Sequence, residues 1–419
     1  MRLNNNKSDK RPLLKTIAIG LSAIGPGLFL IGYNIGTGSI TTMAKSGAQY
    51  GMTLFWALLL SCIFTYILMV AYGQVTLVTG KTALYNFRSQ FRFGNILALY
   101  ILLALVIGEL LALMGVMGIV AELLQEGIRL LSGETLNAFW IILVLVILMY
   151  GLLWYGRYQV FEKVLTFFVI LMGVSFIVVF FMVKPDYSAI LRGLIPGIPK
   201  GPGALGLIAA MAGTTCSAAV FIIRSTVVAE KGWTVANLGN EKKDALVSAS
   251  MMLFLSAVIM AVAAGTLHMM GLQLDETIEL IHLFRPLGGK VAAFILILGI
   301  TGAGLSTVFP IVLIAPWLIS DYTGKPRDIH SPMYRILTLA GLLFGFGMLV
   351  MEHRPPALMI FSQAFQACIL PAVAIPIFIL IRRGPLMSQY RANIKMTIGL
   401  IAVILFSFVT TFFAIKELF

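Results

Sequence analysis

The chain alternates long apolar segments with short polar ones. Eleven segments approach or exceed the roughly 20 apolar residues that an α-helix needs to cross a bilayer. This pattern predicts an all-α polytopic membrane protein with eleven transmembrane helices. The predicted spans are Thr16–Ala44, Thr53–Thr79, Ile96–Leu124, Phe139–Trp154, Val164–Val183, Ala204–Ala229, Ala245–Met270, Val291–Ser320, Ile336–Met351, Leu358–Ile381 and Met396–Ile415.

The first predicted span is interrupted in its middle. Gly36, Thr37, Gly38 and Ser39 place two glycines and two hydroxyl side chains inside an apolar run, and each glycine costs a helix about 1 kcal/mol relative to alanine. Unwound backbone inside a membrane must be buried in protein or line a cavity, because lipid offers it no hydrogen-bond partner. The sequence therefore predicts a broken helix with a binding site near the middle of the membrane.

The sixth predicted span repeats this arrangement. GTTCS at residues 213–217 follows GPG at 201–203, as GTGS in the first span follows GPG at 25–27. The two motifs lie five spans apart, so the two halves face opposite sides of the membrane, which is typical of inverted-repeat secondary transporters. The alternative is that both motifs are small residues that let helices pack closely.

We therefore expect a single transmembrane domain over residues 1–419. Its first repeat covers about 13–184, its second about 200–382, and an extra span about 393–416.

Composition and charge place the chain in a membrane and orient it. Hydrophobic residues make up 59% and charged residues 11%, with a net charge of +13. Alternate sides of the predicted spans hold 20 and 9 Lys and Arg residues, and Arg224 lies inside a span. Because cytoplasmic loops collect basic residues, this predicts a cytoplasmic N-terminus, an external C-terminus and a plasma-membrane location, which in bacteria is the inner membrane. The same bias accounts for the positive charge without a nucleic-acid partner.

No set of residues typical of an enzyme or a metal centre occurs in the sequence. Cys62, Cys216 and Cys368 lie inside apolar segments, as small buried hydrophobic residues do, and the four histidines are scattered. There is no Ser/His/Asp set, phosphate-binding loop or zinc spacing. We expect neither enzymatic activity nor a cofactor, and a monomeric protein.

The two interruptions offer hydroxyls, backbone groups and one thiol to a substrate. The candidate substrate-binding residues are Gly36, Thr37, Gly38, Ser39, Thr214, Thr215, Cys216, Ser217 and, from the tenth span, Gln363. Half-helix N-termini carry partial positive charge and suit anions, whereas C-terminal carbonyls suit cations. A divalent cation in a low-dielectric cavity normally takes an anionic ligand, and neither interruption contains a carboxylate, histidine or thioether. The interruptions therefore favour a small oxygen-rich anion or a neutral polar solute.

Three polar residues inside predicted spans have more than one interpretation. Arg224 could attract anions into an inner vestibule, because intramembrane arginines are usually functional, or it could pair with Glu109 or Glu230. Glu109 in the third span could carry a proton or form a structural ion pair. Gln363 could donate to an anion or form a hydrogen bond between helices.

Three stretches of the chain resemble the Nramp family of transporters. They are the first span with GPG, GTGS and SGAQYG, the eighth span with AGLST at 303–307, and the tenth span from FSQ at 361–363 to LP at 370–371. The resemblance implies a LeuT-type fold, in which a five-plus-five inverted repeat with broken spans one and six is followed by one extra helix. It also implies a candidate Na⁺ position between Ser306 and Thr307 and the carbonyls near Gly32 and Tyr33. The alternative is that these hydroxyls only cap or pack helices.

The chain departs from the family where the family binds metal. Nramp metal transporters have Asp-Pro-Gly-Asn at residues 36–39, a metal-binding Met at Ser217 and an Ala with a coordinating carbonyl at Thr214. Further family residues are replaced by Ala218, Ala219 and Arg224 (Pro and two His in the family) and by Val116 and Ile119 (carboxylates of the proton route). These differences imply a branch of the family that carries something other than a transition metal.

Bicarbonate is the solute that this resemblance and the site chemistry together favour. The leading prediction is a secondary active importer of a small anion, coupled to Na⁺ or H⁺. The alternative is a divalent-metal transporter of the Nramp type, for Mg²⁺, Mn²⁺ or Fe²⁺, in which the ion keeps part of its hydration shell. A third possibility is a transport-inactive sensor or scaffold that has kept the fold.

Overall fold

The computed structural model describes residues 36–155, 158–325, 327–350 and 354–418, and this part of the chain is helical without any β-strand. The α-helices are α1 (Thr37–Tyr50), α2 (Phe55–Thr79), α3 (Ala83–Gln90), α4 (Gly94–Ser132), α5 (Ala138–Trp154), α6 (Tyr158–Val183), α7 (Tyr187–Arg192), α8 (Ala204–Thr215), α9 (Ala218–Glu230), α10 (Leu238–Gly265), α11 (Gly289–Thr323), α12 (Pro332–Leu343), α13 (Pro355–Arg382), α14 (Gly384–Met387) and α15 (Ile394–Leu418). Longer 3₁₀ segments cover Thr277–Leu287 and Phe344–Leu349.

The described helices agree with the predicted spans. Among the described residues, nine helical segments are long and apolar enough to cross a membrane, and α5, with 17 residues, is a shorter apolar helix in the position of the fourth span. Helix α1 is the second half of the predicted first span, whose residues 16–35 lie outside the described residues. Each predicted span thus has a helical counterpart wherever the structure describes it.

The predicted interruption of the sixth span is confirmed. Helix α8 ends at Thr215 and α9 begins at Ala218, so that Cys216 and Ser217 separate two half-helices. In the first span, α1 begins at Thr37, and Gly36 before it is extended with φ −77° and ψ −176°. Thr37, Gly38 and Ser39 therefore form the first turn of a half-helix and are not the unwound stretch that the sequence predicted.

Local sequence sets several helix ends. The side chain of Asn137 accepts a hydrogen bond from the Phe139 N–H at 2.9 Å, which caps α5. Ser331 caps α12, where Pro332 takes the first helical position and its missing N–H costs nothing. Gly133 ends α4 in the left-handed conformation with φ 79°, which glycine adopts without steric cost.

Helix α13 is the centre of the helix packing. It packs against α4, α8 and α15, and α11 packs against α4 and α6. Large apolar side chains remain exposed along the outer helices, among them Trp140, Ile147, Ile170, Leu405 and Phe412. Exposed apolar faces around a buried core are the arrangement expected of a protein whose solvent is lipid.

Candidate functional site

Helices α1, α4, α8, α9, α11 and α13 enclose a small cavity at the two interruptions. It is lined by Gly36, Gly38, Ser39, Glu109, Ala112, Val116, Thr214, Ser217, Thr307, Ile311, Met359, Gln363 and Gln366. Its volume is about 40 Å³, and since one water needs about 10–15 Å³ by this measure, it holds roughly three waters. The cavity therefore fits a small ion with part of its hydration shell, or a solute of a few heavy atoms.

The start of α1 forms one wall of the cavity. The N–H groups of a first helical turn have no intrahelical acceptor and give this end a partial positive charge, and no described side chain caps α1. A Cβ atom at Gly36 would overlap the Thr307 hydroxyl, and one at Gly38 would lie 2.6 Å from Gln363 Nε2. Glycine at these two positions is what lets α11 and α13 approach the backbone of α1.

The interruption between α8 and α9 forms the opposite wall. Thr214, in the last turn of α8, and Ser217, just before α9, both line the cavity. A Cβ atom at Gly213 would overlap the carbonyl oxygen of Gln363. The backbones of α8 and α13 therefore meet directly beside the cavity, and this contact fixes Thr214 relative to Gln363.

A buried chain of hydrogen bonds crosses the cavity. Ser217 Oγ donates to Gln366 Oε1 at 2.9 Å, and Gln366 Nε2 donates to Glu109 Oε1 at 2.7 Å. The three side chains are 5%, 3% and 2% exposed. The chain connects the sixth-span interruption through α13 to α4, and among the described residues that line the cavity only Glu109 is ionisable.

Six of the nine predicted substrate-binding residues lie together in the cavity. They are Gly36, Gly38, Ser39, Thr214, Ser217 and Gln363. Gln363 also donates to the thioether sulfur of Met359 at 3.6 Å.

Three predicted substrate-binding residues do not line the cavity. The Thr37 hydroxyl points towards α11, where a Cβ atom at Gly304 would lie 2.8 Å from it. The Thr215 hydroxyl donates within its own helix to the Met211 carbonyl at 2.6 Å. Cys216 is 1% exposed and belongs to an apolar cluster. Neighbours in sequence point in different directions around a helix, which is why a run of small polar residues overestimated the site.

The predicted coupling-ion residues are only partly described. Thr307 lines the cavity and Ser306 does not, although both hydroxyls donate to the Ala303 carbonyl of α11, at 2.7 and 2.9 Å. Gly32 and Tyr33, whose carbonyls would complete the Na⁺ position, lie outside the described residues. The Na⁺ position stays a prediction.

The vestibule role predicted for Arg224 is wrong. Its side chain is fully buried between α9 and α10, where its Nη2 lies 2.7 Å from Glu241 Oε1 and 2.9 Å from Asp244 Oδ2. Of the partners considered from the sequence, Glu230 pairs with Arg327 and Glu109 accepts a hydrogen bond from Gln366. A guanidinium enclosed by two carboxylates and shielded from solvent cannot attract anions into a vestibule.

Sequence reasoning missed the polar or thioether residues Met359 and Gln366 of the cavity, besides its apolar lining residues Ala112, Val116 and Ile311. Met359, Gln363 and Gln366 recur along α13 at positions i, i+4 and i+7, which places them on one face of the helix, and this spacing was the available signal. Residues outside the two interruptions also correct the predicted ligand chemistry. No carboxylate or thioether falls in the two interruptions, but Glu109 and Met359 bring one of each to the cavity from α4 and α13.

No cluster of three or more His, Cys, Asp or Glu residues occurs among the described residues. A metal ion in the cavity would therefore have one carboxylate, Glu109, and otherwise amide and hydroxyl oxygens, one thioether and water.

The fold resembles solved structures of membrane transporters. The manganese transporter of Eremococcus coleocola matches with a TM-score of 0.69 and 14% identity, over 97% of this chain and 87% of that chain. Mhp1, a nucleobase-cation-symport-1 family transporter, matches with a TM-score of 0.62 and 16% identity, over 94% and 92%. MhsT, solved with L-phenylalanine, matches with a TM-score of 0.59 and 13% identity, over 94% and 98%. With the half-helices that meet at a buried cavity, these likenesses define the fold as the LeuT type.

The family follows from the sequence comparison. The family model described as natural resistance-associated macrophage protein-like (Nramp) matches residues 27–415, so the chain belongs to the Nramp family and is a transporter, not an enzyme. The divalent metal cation transporter MntH of Yersinia pestis (strain Pestoides F) is 23% identical over 390 residues, 91% of each chain. MntH of Pectobacterium carotovorum (strain PC1) is 27% identical over 295 residues, 69% of each chain. The names of these relatives specify divalent metal cations, and they give no support to bicarbonate as the substrate.

Proposed function

We propose that this protein is a secondary transporter of a hard divalent cation, Mg²⁺ or Mn²⁺, in the bacterial inner membrane, working by alternating access around the cavity between α1 and the α8–α9 interruption. The single observation that carries this proposal is Glu109, the one ionisable side chain among the described cavity residues. Its carboxylate supplies the anionic ligand that the two interruptions lack.

The other cavity groups suit a hard, partly hydrated cation. Gln363, Gln366, Ser39, Thr214 and Ser217 contribute amide and hydroxyl oxygens, which Mg²⁺ and Mn²⁺ accept together with carboxylates and water. Space for roughly three waters allows the ion to keep part of its hydration shell. The family relatives, named as divalent metal cation or manganese transporters, support the same class of substrate.

The second candidate substrate is the small oxyanion predicted from the sequence, with bicarbonate as the example. The observation that favours it is that the start of α1 lines the cavity, because the N–H groups at a helix start suit an anion. Such a substrate would have to bind beside the Glu109 carboxylate, and two like charges about 4 Å apart repel by roughly 4 kcal/mol at an effective dielectric constant near 20. A proton on Glu109 would remove this repulsion, so the oxyanion proposal favours coupling to H⁺.

The coupling ion completes the proposal. Thr307 faces the start of α1 across Gly36, and its hydroxyl is a suitable ligand for Na⁺. Na⁺ at this position and H⁺ on Glu109 are the two candidates. Uptake into proteoliposomes with either gradient imposed alone distinguishes them.

Glu109→Gln separates the two substrates. With purified protein and isothermal titration calorimetry, the cation proposal expects wild type to bind Mn²⁺ or Mg²⁺ and Glu109→Gln to bind at least about tenfold more weakly, because a charged ligand is lost. Glu122→Gln is the matched control, since Glu122 is on the same helix but outside the cavity. Binding of bicarbonate that persists or strengthens in Glu109→Gln, with no metal binding in wild type, would overturn the cation proposal in favour of the oxyanion.

A further inference from the structure

Seven basic residues form a patch at one end of the molecule, on the side that the distribution of Lys and Arg predicts to be cytoplasmic. The basic patch consists of Lys81, Arg88, Arg92, Arg382, Arg383, Arg391 and Lys395, and all seven are exposed. They come from α3 and its flanks, the end of α13, and the segment that leads into α15.

Contacts between these segments hold the patch together. Arg383 Nη1 donates to the Gln90 carbonyl at 2.7 Å, and Arg391 Nε donates to the Arg382 carbonyl at 3.0 Å. Arg88 donates to the carbonyl of Tyr322. The acceptors are neutral, so the guanidinium groups are positioned without loss of their net charge.

The patch lacks the carboxylates that neutralise other cations of the chain. Neither residues 74–108 nor residues 354–416 contain Asp or Glu. At the end of α9, by contrast, Arg224 and Arg327 pair with Glu241, Asp244, Glu230 and Asp321. Among the described residues, no patch member forms a salt bridge with a carboxylate. The positive-inside bias explains the number of Lys and Arg residues on this side. It does not explain why those near α9 have carboxylate partners while those of the patch have none among the described residues.

Apolar and aromatic side chains adjoin the patch at the same level. Arg92 lies over the Phe93 ring at 5.6 Å and Lys81 over the Tyr85 ring at 5.3 Å, and Phe93 is 67% exposed. Aromatic rings of this kind sit at the boundary between lipid headgroups and acyl chains.

We propose that the basic patch binds the phosphate headgroups of anionic phospholipids in the inner leaflet. Clusters of four to eight Lys and Arg beside transmembrane helices attract such lipids, and the neighbouring Tyr85 and Phe93 rings are exposed beside the patch. The site is separate from the transport cavity and does not depend on which ion is carried.

Native mass spectrometry of the full-length protein tests this surface. The protein is titrated with phosphatidylglycerol or phosphatidylethanolamine in detergent, and we expect retained phosphatidylglycerol to exceed phosphatidylethanolamine at least about tenfold. The variant Lys81→Gln/Arg92→Gln/Lys395→Gln removes three side-chain charges that make no hydrogen bond to the described residues, and it should remove most of this preference. The control Lys231→Gln/Lys242→Gln/Lys243→Gln removes three exposed charges near the carboxylates of α9 and α10 and should keep it.

Equal retention of the two lipids by wild type overturns the proposal, whatever the folding of the variants. An unchanged preference in the patch variant, or equal losses in the patch and control variants, also overturns it.

Discussion

Replacing Arg224 by Met tests whether the arginine inside the sixth span is structural. Met keeps much of the side-chain length and removes the charge. Glu241 and Asp244, at 0% and 1% side-chain exposure, would then lose the guanidinium that both of them bind. Glu241 cannot move towards α2, because its Oε1 occupies the space in which a Cβ atom of Gly73 would lie.

The size of the effect follows from burial. Removing one partner of a buried ion pair costs about 3–5 kcal/mol, a large fraction of the roughly 5–15 kcal/mol by which proteins are stable. At about 2 °C per kcal/mol for a chain of this size, Arg224→Met should lower the melting temperature by roughly 6–10 °C. Neutral amides cost less to bury than charges, so Arg224→Met/Glu241→Gln/Asp244→Asn should recover most of this loss.

Thermal unfolding of the purified variants in detergent, together with uptake into proteoliposomes, provides the assay. We expect the triple variant to transport, because Arg224 does not line the cavity. A single variant that melts within about 2 °C of wild type would refute the structural role. The structural role would also be refuted if both variants melted like wild type but showed reduced uptake, because that result is expected of a residue that attracts the substrate.

Two further predictions concern the walls of the cavity. Gly213→Ala should abolish folded protein in size-exclusion chromatography, because its Cβ atom would overlap the rigid carbonyl of Gln363, whereas Gly239→Ala, with open space around it, should behave as wild type. Ser39→Ala and Thr214→Val should each weaken substrate binding about fivefold to tenfold, which corresponds to about one lost hydrogen bond, without changing the melting temperature. Unchanged binding in both hydroxyl variants would place the substrate elsewhere.

The helices were predictable from the sequence because lipid leaves the backbone few choices. A segment in hydrocarbon must satisfy its own N–H and C=O groups, so that about 20 apolar residues predict a helix wherever they occur. The interruption at Cys216 and Ser217 was predictable for the related reason that small polar residues inside such a run indicate backbone that bonds elsewhere. Helix boundaries were less certain: Glu241 and Asp244 were placed before the seventh span, whereas α10 begins at Leu238.

The partners of the buried charged residues were not predictable. Gln366 and Glu109 are 257 positions apart, and nothing in either local sequence indicates that α13 brings them together. For Arg224, one helical turn at the start of α10 decides whether Glu241 and Asp244 lie in a loop or against α9. Pairings of this kind depend on tertiary packing, which a single sequence does not contain.

We expect the sign of the ion that the cavity binds to depend on Glu109 more than on the interruptions. The N-termini of α1 and α9 each contribute about half a positive elementary charge, and the C-terminus of α8 about half a negative one. The helix ends described around the cavity thus leave a small positive excess, which is what made an anion attractive from the sequence. One ionised carboxylate at Glu109 outweighs that excess and makes the cavity attractive to cations, whereas a protonated or amidated residue 109 restores it. The single substitution Glu109→Gln should therefore change the preference of the cavity from cations to anions. Binding of Mn²⁺ and of bicarbonate, measured in wild type and in Glu109→Gln, tests this change directly.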